Sequence, residues 1–474
     1  MCTGGVLALA AVAFGCAPEA PPVPSGPPDV VLLVIDTQRA DRLSTYGYAR
    51  PTSPELDALA ASGTLFTDAT AQSSWTQPSV ASFMTGRYLS RQITAPERDA
   101  PTLAEIFADA GYRTVGLSAN VLLAEGTGFD RGFDHFDGTP QTRTPAGVVV
   151  PPNAEQLVER TLAALDASAD GPERQPLFLY VQFFDPHATY EPHTDLNDVL
   201  PVNDPALLGD LDWQREQYPL DEIGDRPAHA EPWVQLLRSR ALYDQEVRHT
   251  DRWVRRFLDA LEERGIGEGA VFALTSDHGE GLWDHVTPGA DEDAQPPRPD
   301  EFFYQEHGGT MYQSAVHVPL MLWGRGVPAG ERVERPVELI DLAPTLLELA
   351  GIERPRGLDG DDLIAPKMER GFVHSVALGR AMVREIATGL TLIVVDAERR
   401  GGGIELFDLV ADPDQRIDLA SRRPDDVARL REELERWIEA NPTEITSTRK
   451  LTPQERKRLE DLGYGELQID DGGE

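Results

Sequence analysis

The chain has 474 residues, a length that suits a large α/β domain together with a smaller companion. Its 80 acidic and 43 basic residues give a formal net charge of −37, which would repel nucleic acid and anionic membrane surfaces. The two cysteines, Cys2 and Cys16, both lie near the start, which excludes a disulfide across the folded body and a cysteine-based zinc site.

The first 28 residues predict export. Val6 to Phe14 is an apolar run that is too short to span a bilayer and has the length of a signal-peptide core. The run ends at Cys16, which a lipoprotein signal would leave as the lipidated first residue, although no Lys or Arg precedes Val6. We therefore expect a signal peptide over 1–16 and a proline-rich, extended linker over 17–28. The mature protein would be periplasmic or at the cell surface, held to the membrane only by a lipid on Cys16.

From Asp29 onward, apolar strands alternate with amphipathic helices, which is typical of a sheet with helices on both faces. Val30 to Ile35 is continuously apolar and predicts a buried parallel strand. Further strands are predicted from Thr114, over Leu177 to Phe184 and over Val271 to Leu274, with a long helix over about Arg240 to Arg264. We assign this α/β domain to 29–365.

The pattern changes after about Ile364. Short strands are predicted over Ala381 to Ile386, Leu390 to Val395 and Ile404 to Leu409, and helices near Pro424 to Ala440 and Pro453 to Leu462. This pattern indicates a C-terminal subdomain over 366–474, built from a small antiparallel sheet and helices.

Polar residues follow several of the apolar strands. Because ligands bind beyond the carboxyl ends of strands in open α/β sheets, we expect these residues to converge. Asp36, Asp277 and His278 supply oxygen and nitrogen donors that suit one divalent cation, which could be Mn, Zn, Ca or Mg. Taken singly, Asp36 could cap a helix and His278 could stabilise a turn, but the set together favours a metal.

The segment from Trp75 to Arg87 carries the second feature. Pro78 and Ser79 can begin a helix, whose N-terminus would favour an anion. Thr76, just before them, is then placed to attack an anionic ester, and coordination to a metal could activate its hydroxyl. The alternative is a helix that is merely capped by Ser and Thr side chains.

In order along the chain, these segments resemble the sulfatase family of the alkaline-phosphatase superfamily. The segments that carry the resemblance are Asp36 to Leu43, Thr76 to Gly86, Phe184 to His187, Thr275 to Gly281, His307 to Leu320, Ile340 to Leu346, Leu358 to Gly360 and Leu406 to Asp412. The resemblance runs from about Asp29 to Ala420. It implies an α/β fold with a large mixed, mostly parallel sheet sandwiched by helices, a small C-terminal antiparallel sheet, and a metal-dependent hydrolase of ester bonds.

The resemblance also implies roles for individual residues. These are Thr76, His187 and His307 as catalytic groups, Asn120 and Arg87 as substrate-binding residues, and Asp36, Thr76, Asp277 and His278 as metal ligands. His187 or His307 would protonate the leaving oxygen. A structural role for His187 and a turn role for Asn120 remain open. His307 could instead complete a second metal site, but the spacing of Asp185 and His187 is poor for one, so one cation is expected.

The chain departs from the family pattern where sulfate is usually bound. Thr76 replaces the cysteine or serine that is converted to formylglycine, Val80 replaces an arginine, and Ala119 and Gly308 stand near the usual lysines or histidine. We therefore expect a phosphodiester or phosphoester rather than a sulfate ester, either as a small anionic ester or on a sulfated or phosphorylated glycan or lipid. The alternatives are a true sulfuric ester hydrolase without formylglycine, a phosphoglycerol-type transferase, and an inactive cell-surface protein that binds glycans. The oligomeric state is not indicated.

Overall fold

The structure is a computed structural model that describes residues 26–88, 95–97, 99–138, 142–143, 149–167, 174–202, 204, 207, 230–267, 269–286, 303–366, 370–377, 379–395 and 402–442. The predicted signal peptide, almost all of the predicted linker and the predicted helix near Pro453 to Leu462 lie outside these residues. Among the described helices, none combines the length and apolar character needed to cross a membrane.

A nine-stranded sheet forms the centre of the larger part. Its strands are β1 (Val30–Ile35), β2 (Thr64–Thr70), β3 (Arg113–Ser118), β4 (His135–Asp137), β7 (Leu177–Phe183), β8 (Val271–Thr275), β11 (His317–Gly324), β12 (Glu331–Val333) and β13 (Val337–Glu338). The spatial order is β12-β2-β11-β8-β1-β7-β3-β4, and β13 also pairs with β2. Two short hairpin pairs lie outside this sheet: β5 (Thr142–Arg143) with β6 (Val149–Val150), and β9 (Gly281–Val286) with β10 (Phe303–Glu306).

The sheet is mixed and mostly parallel, as the sequence predicts. β1 pairs in parallel with β7 on one side and with β8 on the other, and all six of its residues are fully buried. A strand buried on both faces explains why Val30 to Ile35 is continuously apolar. β11 is antiparallel to both β8 and β2, so it is the strand that makes the sheet mixed.

Helices cover both faces of the sheet. They are α1 (Pro54–Ser62), α2 (Thr76–Thr85), α3 (Leu103–Asp109), α4 (Ala154–Ala167), α5 (Ala230–Glu263), the short α6 (Gln313–Val316) and α7 (Leu342–Ala350). Val31, Leu33 and Ile35 face a core shared with α1, α4 and α5. Val30, Leu32 and Val34 face a second core with α2, α3 and α7. The period of two along β1 therefore divides its side chains between the two helical layers.

A separate four-stranded antiparallel sheet follows. It has the order β14 (Phe372–Ala377), β15 (Arg380–Glu385), β16 (Leu390–Val395) and β17 (Gly403–Asp408), and α8 (Pro424–Ala440) packs on it. The predicted strand over Leu390 to Val395 and the predicted helix over Pro424 to Ala440 coincide with β16 and α8. The first strand of this sheet, β14, was missing from the sequence prediction.

Candidate metal centre and catalytic site

Four neighbouring strands of the large sheet bring the candidate residues to one edge. Asp36 directly follows β1, and Asp277 and His278 follow β8, which pairs with β1. Asn120 lies beyond β3 and His187 beyond β7. The predicted convergence at the carboxyl ends of the strands is therefore what the structure shows.

Asp36, Asp277 and His278 form a compact, fully buried donor set. One ligand atom from each lies within 4.8 Å of the others. Nδ1 of His278 lies 2.9 Å from the carbonyl oxygen of Gly279, so the Nδ1–H donates there and Nε2 keeps its lone pair. Nε2 is 3.8 Å from Oδ1 of Asp36 and 3.6 Å from Oδ2 of Asp277. These atoms have the chemistry and spacing of a divalent-cation site.

Hydrogen bonds from neighbouring residues orient the carboxylates of Asp36 and Asp277. Oδ1 of Asp277 accepts from the backbone N–H groups of Thr37, at 3.3 Å, and His278, at 2.9 Å. The Gln182 amide donates to Oδ2 of Asp277 at 3.2 Å and to Oδ2 of Asp36 at 3.3 Å. Oδ1 of Asp36 makes no hydrogen bond to any described residue. A buried carboxylate oxygen without a donor among these residues, close to a lone pair of imidazole, is what a divalent-cation site requires.

The electrostatics of the site support the same conclusion. Burial, together with the negative charge of Asp277, raises the pKa of the Asp36 carboxyl well above its usual range. Burial also raises the pKa of Asp277 and lowers that of His278 to about 4. Two carboxylates buried side by side repel each other, and a divalent cation would remove this repulsion.

Thr76 is the first residue of α2, and its hydroxyl reaches the donor set. Its Oγ1 lies 3.2 Å from Nε2 of His278 and 3.3 Å from Nδ2 of Asn120. The helix begins two residues earlier than Pro78, where the sequence places its start. The Ser79 hydroxyl donates to the carbonyl of Asp277 at 2.5 Å, which ties the first turn of α2 to the end of β8. The N-terminal end of α2 therefore lies beside the donor set.

Asn120 has the turn role that the sequence leaves open, and its side chain also reaches the donor set. Its Oδ1 accepts from the N–H of Leu122 at 2.8 Å and caps the short 3-10 helix Val121–Leu123. Its Nδ2 donates to Oδ2 of Asp36 and to Oγ1 of Thr76. The turn thus positions an amide donor inside the site.

His187 and His307 lie beside the donor set. Their rings meet edge to face with centroids 4.9 Å apart, and the His307 ring is 4.5 Å from that of His278. Burial and the neighbouring His307 lower the pKa of His187 to about 4, and burial lowers that of His307 to about 3. Burial thus favours the neutral form of both rings, and negative charge on a bound ester would favour the protonated form.

Arg87 is the predicted site residue that the structure does not bring to this cluster. It follows the C-terminal end of α2, about 15 Å along the helix from Thr76. Its guanidinium lies 3.9 Å from the Glu97 carboxylate. Arg87 therefore lies at the opposite end of the helix from Thr76, and its role in substrate binding stays a prediction.

Two residues of the site carried no assigned role in the sequence analysis. Gln182 is the polar residue within the otherwise apolar β7, and its full burial requires polar partners. Glu280, two positions after His278, is also fully buried, and burial raises its pKa to about 7. A buried polar residue in an apolar strand is a signal that the sequence analysis could have used for Gln182.

Comparison with known proteins relates the chain to one family. The family model described as Sulfatase matches residues 28–352. The uncharacterized sulfatase YidJ of Escherichia coli strain K12 is 26% identical over 393 residues, which cover 73% of this chain and 72% of that protein. An arylsulfatase of Clostridium perfringens is 24% identical over 456 residues, which cover 83% of this chain and 90% of that protein.

Solved structures share the fold. A 2-O GAG sulfatase, BT1596, superimposes with a TM-score of 0.64 at 21% sequence identity, covering 88% of this chain and 92% of its own. The phosphonate monoester hydrolase of Agrobacterium radiobacter also gives a TM-score of 0.64 at 21% identity, covering 90% of this chain and 100% of its own. The architecture described above is therefore one that these enzymes have in common.

Proposed function

Because the chain belongs to the sulfatase family, we propose that it hydrolyses anionic esters with Thr76 as the nucleophile. One divalent cation would be held by Asp36, Asp277 and His278, with the Thr76 hydroxyl beside them. The observation that carries the proposal is the 3.2 Å distance between Oγ1 of Thr76 and Nε2 of His278 in a fully buried donor set. The cation, when bound, would act as a Lewis acid and offset the negative charge of the site.

The remaining groups have roles that follow from their positions. The N-terminus of α2 offers N–H groups to the non-bridging oxygens of the ester. The Asn120 amide, whose two N–H groups donate to Asp36 and Thr76, would hold the Thr76 hydroxyl beside the donor set. His187 or His307 would give a proton to the leaving oxygen. Together these groups stabilise negative charge around the atom that Thr76 attacks.

We favour a phosphoester, in particular a phosphodiester, over a sulfate ester. A threonine that attacks must later be released, and a phosphorylated threonine can be hydrolysed by water. A sulfated threonine lacks the hemiacetal route to breakdown that formylglycine provides. Val80, Ala119 and Gly308 stand near the positions where the family's cationic residues usually hold sulfate. The nucleophile and the lost cationic groups therefore support the same preference.

A direct assay tests both the reaction and the substrate class. The purified protein, stripped of metal and reloaded with Mn, Zn, Ca or Mg, would be assayed on p-nitrophenyl sulfate, p-nitrophenyl phosphate and bis(p-nitrophenyl) phosphate. We expect the fastest turnover on the diester. Efficient hydrolysis of the sulfate without any activity on the diester would reverse the preference, and no activity on any ester would refute the proposal.

The location of the enzyme is a separate proposal. The apolar run that ends at Cys16, together with the proline-rich stretch after it, supports export and attachment through a lipid on that cysteine. The substrate would then be an ester outside the cytoplasm, either small or carried on a glycan or lipid.

A further inference from the structure

The ring of His307 is hydrogen-bonded to a buried carboxylate. Nδ1 of His307 lies 3.2 Å from Oε1 of Glu280, whose side chain is fully buried, while the His307 side chain is 5% exposed. With the carboxylate as acceptor, Nδ1 carries the proton and donates it in this hydrogen bond. Nε2, on the other edge of the ring, is then the nitrogen that would exchange a proton with a substrate.

The ring lies among residues of the proposed site. Its centroid is 4.5 Å from that of His278 and 5.4 Å from that of Trp75, the residue before the proposed nucleophile. It also contacts the ring of His187, whose Nδ1 lies 2.6 Å from the carbonyl of Ala188. His307 therefore packs against His278, whose Nε2 lies 3.2 Å from Oγ1 of the proposed nucleophile Thr76.

The Glu280 backbone is itself held in place. Its N–H donates to the carbonyl of Ser314 at 3.0 Å, and the Arg39 guanidinium donates to its carbonyl at 3.1 Å. The preceding Gly279 approaches Ser314 so closely that a Cβ at this position would lie 2.0 Å from the Ser314 carbonyl oxygen. The segment after His278 is thus fixed against α6, and it presents Glu280 to His307 in one orientation.

From this geometry we infer that Glu280 is a positioning residue, which orients His307 so that Nε2 gives a proton to the leaving oxygen of the ester. The inference rests on the proposed function and deepens it, since it selects His307 rather than His187 for the leaving group. Neither Glu280 nor this division of roles follows from the sequence pattern.

Hydrolysis would proceed through a covalent ester of Thr76. Thr76 Oγ1, its proton released to solvent, bonds to the central atom of the ester, and the bond from that atom to the leaving oxygen breaks. The leaving oxygen takes the electron pair and the Nε2 proton of the His307 imidazolium, while the other proton stays on Nδ1 and keeps its hydrogen bond to Glu280. When water later attacks the threonine ester, Nε2 accepts its proton and the Thr76 oxygen regains one from solvent. The net reaction is hydrolysis, and His307 returns to its starting state.

Leaving-group dependence tests the inference. p-Nitrophenolate leaves without a proton far more easily than phenolate, so kcat would be compared on p-nitrophenyl methyl phosphate and phenyl methyl phosphate. For Glu280→Gln we expect kcat to fall about 100-fold on the phenyl ester but less than about 10-fold on the nitrophenyl ester, with KM unchanged. His307→Gln should show the same pattern, and adding Glu280→Gln to it should cause little further loss.

Three controls make the result specific. Glu246→Gln breaks a matched Glu–His pair, in which Oε2 lies 2.9 Å from Nε2 of His193, and should leave the ratio between the two esters unchanged. Glu280→Asp keeps a carboxylate and should restore part of the kcat that Glu280→Gln loses on the phenyl ester. Histidine ¹⁵N NMR should find Nδ1 of His307 protonated in the wild type and its signals shifted in Glu280→Gln, which reports on the contact without any assay.

The outcomes separate the two proposals. Suppose that the wild type is active and Thr76→Ala is not, but Glu280→Gln lowers kcat on both esters by the same factor. The positioning role is then wrong and the proposed function stands. The same holds if His187→Gln alone produces the leaving-group dependence. A wild type that hydrolyses neither these esters nor the sulfates refutes the proposed function and this inference with it.

Discussion

The side-chain amide of Gln182, in β7, donates a hydrogen bond of 3.2 Å to Oδ2 of Asp277, which follows β8, two strands away. The same amide also donates to Asp36, at the end of the intervening β1. One neutral donor thus holds both carboxylates of the donor set with their oxygens directed at a common point. Such contacts behind the ligands fix their orientation and tune a metal site.

Replacing Gln182 by Leu should weaken metal binding by about 10- to 100-fold, because both carboxylates lose the donor that orients them. Affinity would be measured by competition with a chelator of known strength. Gln245→Leu removes a buried glutamine that bonds Asn197 and Leu200 outside the site, so it should change stability but not metal affinity. Equal metal affinity in Gln182→Leu and wild type would contradict the assigned role.

Asp277→Asn should remove the bound metal. We expect metal analysis to find about one equivalent in the wild type and less than about 0.1 in the variant, since one of three protein ligands is lost. Asp251→Asn is the matched control, because Asp251 is a buried carboxylate that instead accepts from backbone N–H groups at the start of α1. Full occupancy in Asp277→Asn would show that the metal lies elsewhere.

Thr76→Ala should lower kcat by at least about 10³-fold while leaving the fold intact. Thr76→Ser keeps a hydroxyl at the same place and should retain measurable activity. Thr161→Ala serves as the control, because Thr161 is also a buried helical threonine but bonds the carbonyl of Leu157 in α4. Turnover by Thr76→Ala close to that of the wild type would exclude Thr76 as the nucleophile.

His374 should make stability depend on pH. Its ring stacks on Trp437 at 4.6 Å, and burial, with repulsion from Arg370, lowers its pKa to about 3. The unfolded chain takes up this proton near pH 6.5, so the contribution to stability is complete above that pH and is lost as pH falls towards 3. Between pH 7.5 and 5.5 the loss from this residue should be about 1 kcal/mol in urea unfolding.

His374→Phe keeps an aromatic ring against Trp437 without a titratable group, so it should flatten this part of the pH dependence. Replacing His135, which is exposed on β4, should not. If the free energy of unfolding of His374→Phe depends on pH as steeply as that of the wild type, the pH dependence arises from other groups.

Cys16→Ser should release the protein from the membrane, because the predicted lipid attaches to this cysteine. Fractionation of cells and metabolic labelling with a fatty-acid analogue would measure both effects. Finding the wild type free in the cytoplasm would refute export, and finding it exported but unlabelled would refute lipidation alone.

Much of the fold could be predicted because its signals are local. The six apolar residues of β1 show burial on both faces, and Thr102, with Glu105 three residues later, forms the capping box that this pattern favours at the start of α3. The convergence of the proposed metal ligands could be predicted for a related reason. Asp36 and Asp277 each end an apolar run, and parallel strands place such ends at one edge.

The remaining features depend on contacts that no local pattern encodes. Arg87 belongs to the same sequence segment as Thr76, but ten helical residues separate the two ends, and only the structure shows which end faces the cation site. Pairing of the Glu280 carboxylate with His307 requires the segment after β8 to meet the residue that follows β10. β14 was missed because its pattern, Phe372 to Ala377, includes the polar His374 and Ser375, whose burial depends on packing from other elements.

The pairing of β1 with β8 also sets the order of events in biosynthesis. The Thr37 N–H and the Asp277 carboxylate that it holds are 240 positions apart, so the donor set cannot exist until more than half of the chain has been made and has folded. A cation held by this set would then be acquired only after Asp277 has been made, wherever the sheet closes. Because protein sites rank divalent metals by intrinsic affinity, the metal pool of that compartment takes part in choosing the ion. For an exported chain, that choice would be made outside the cytoplasm.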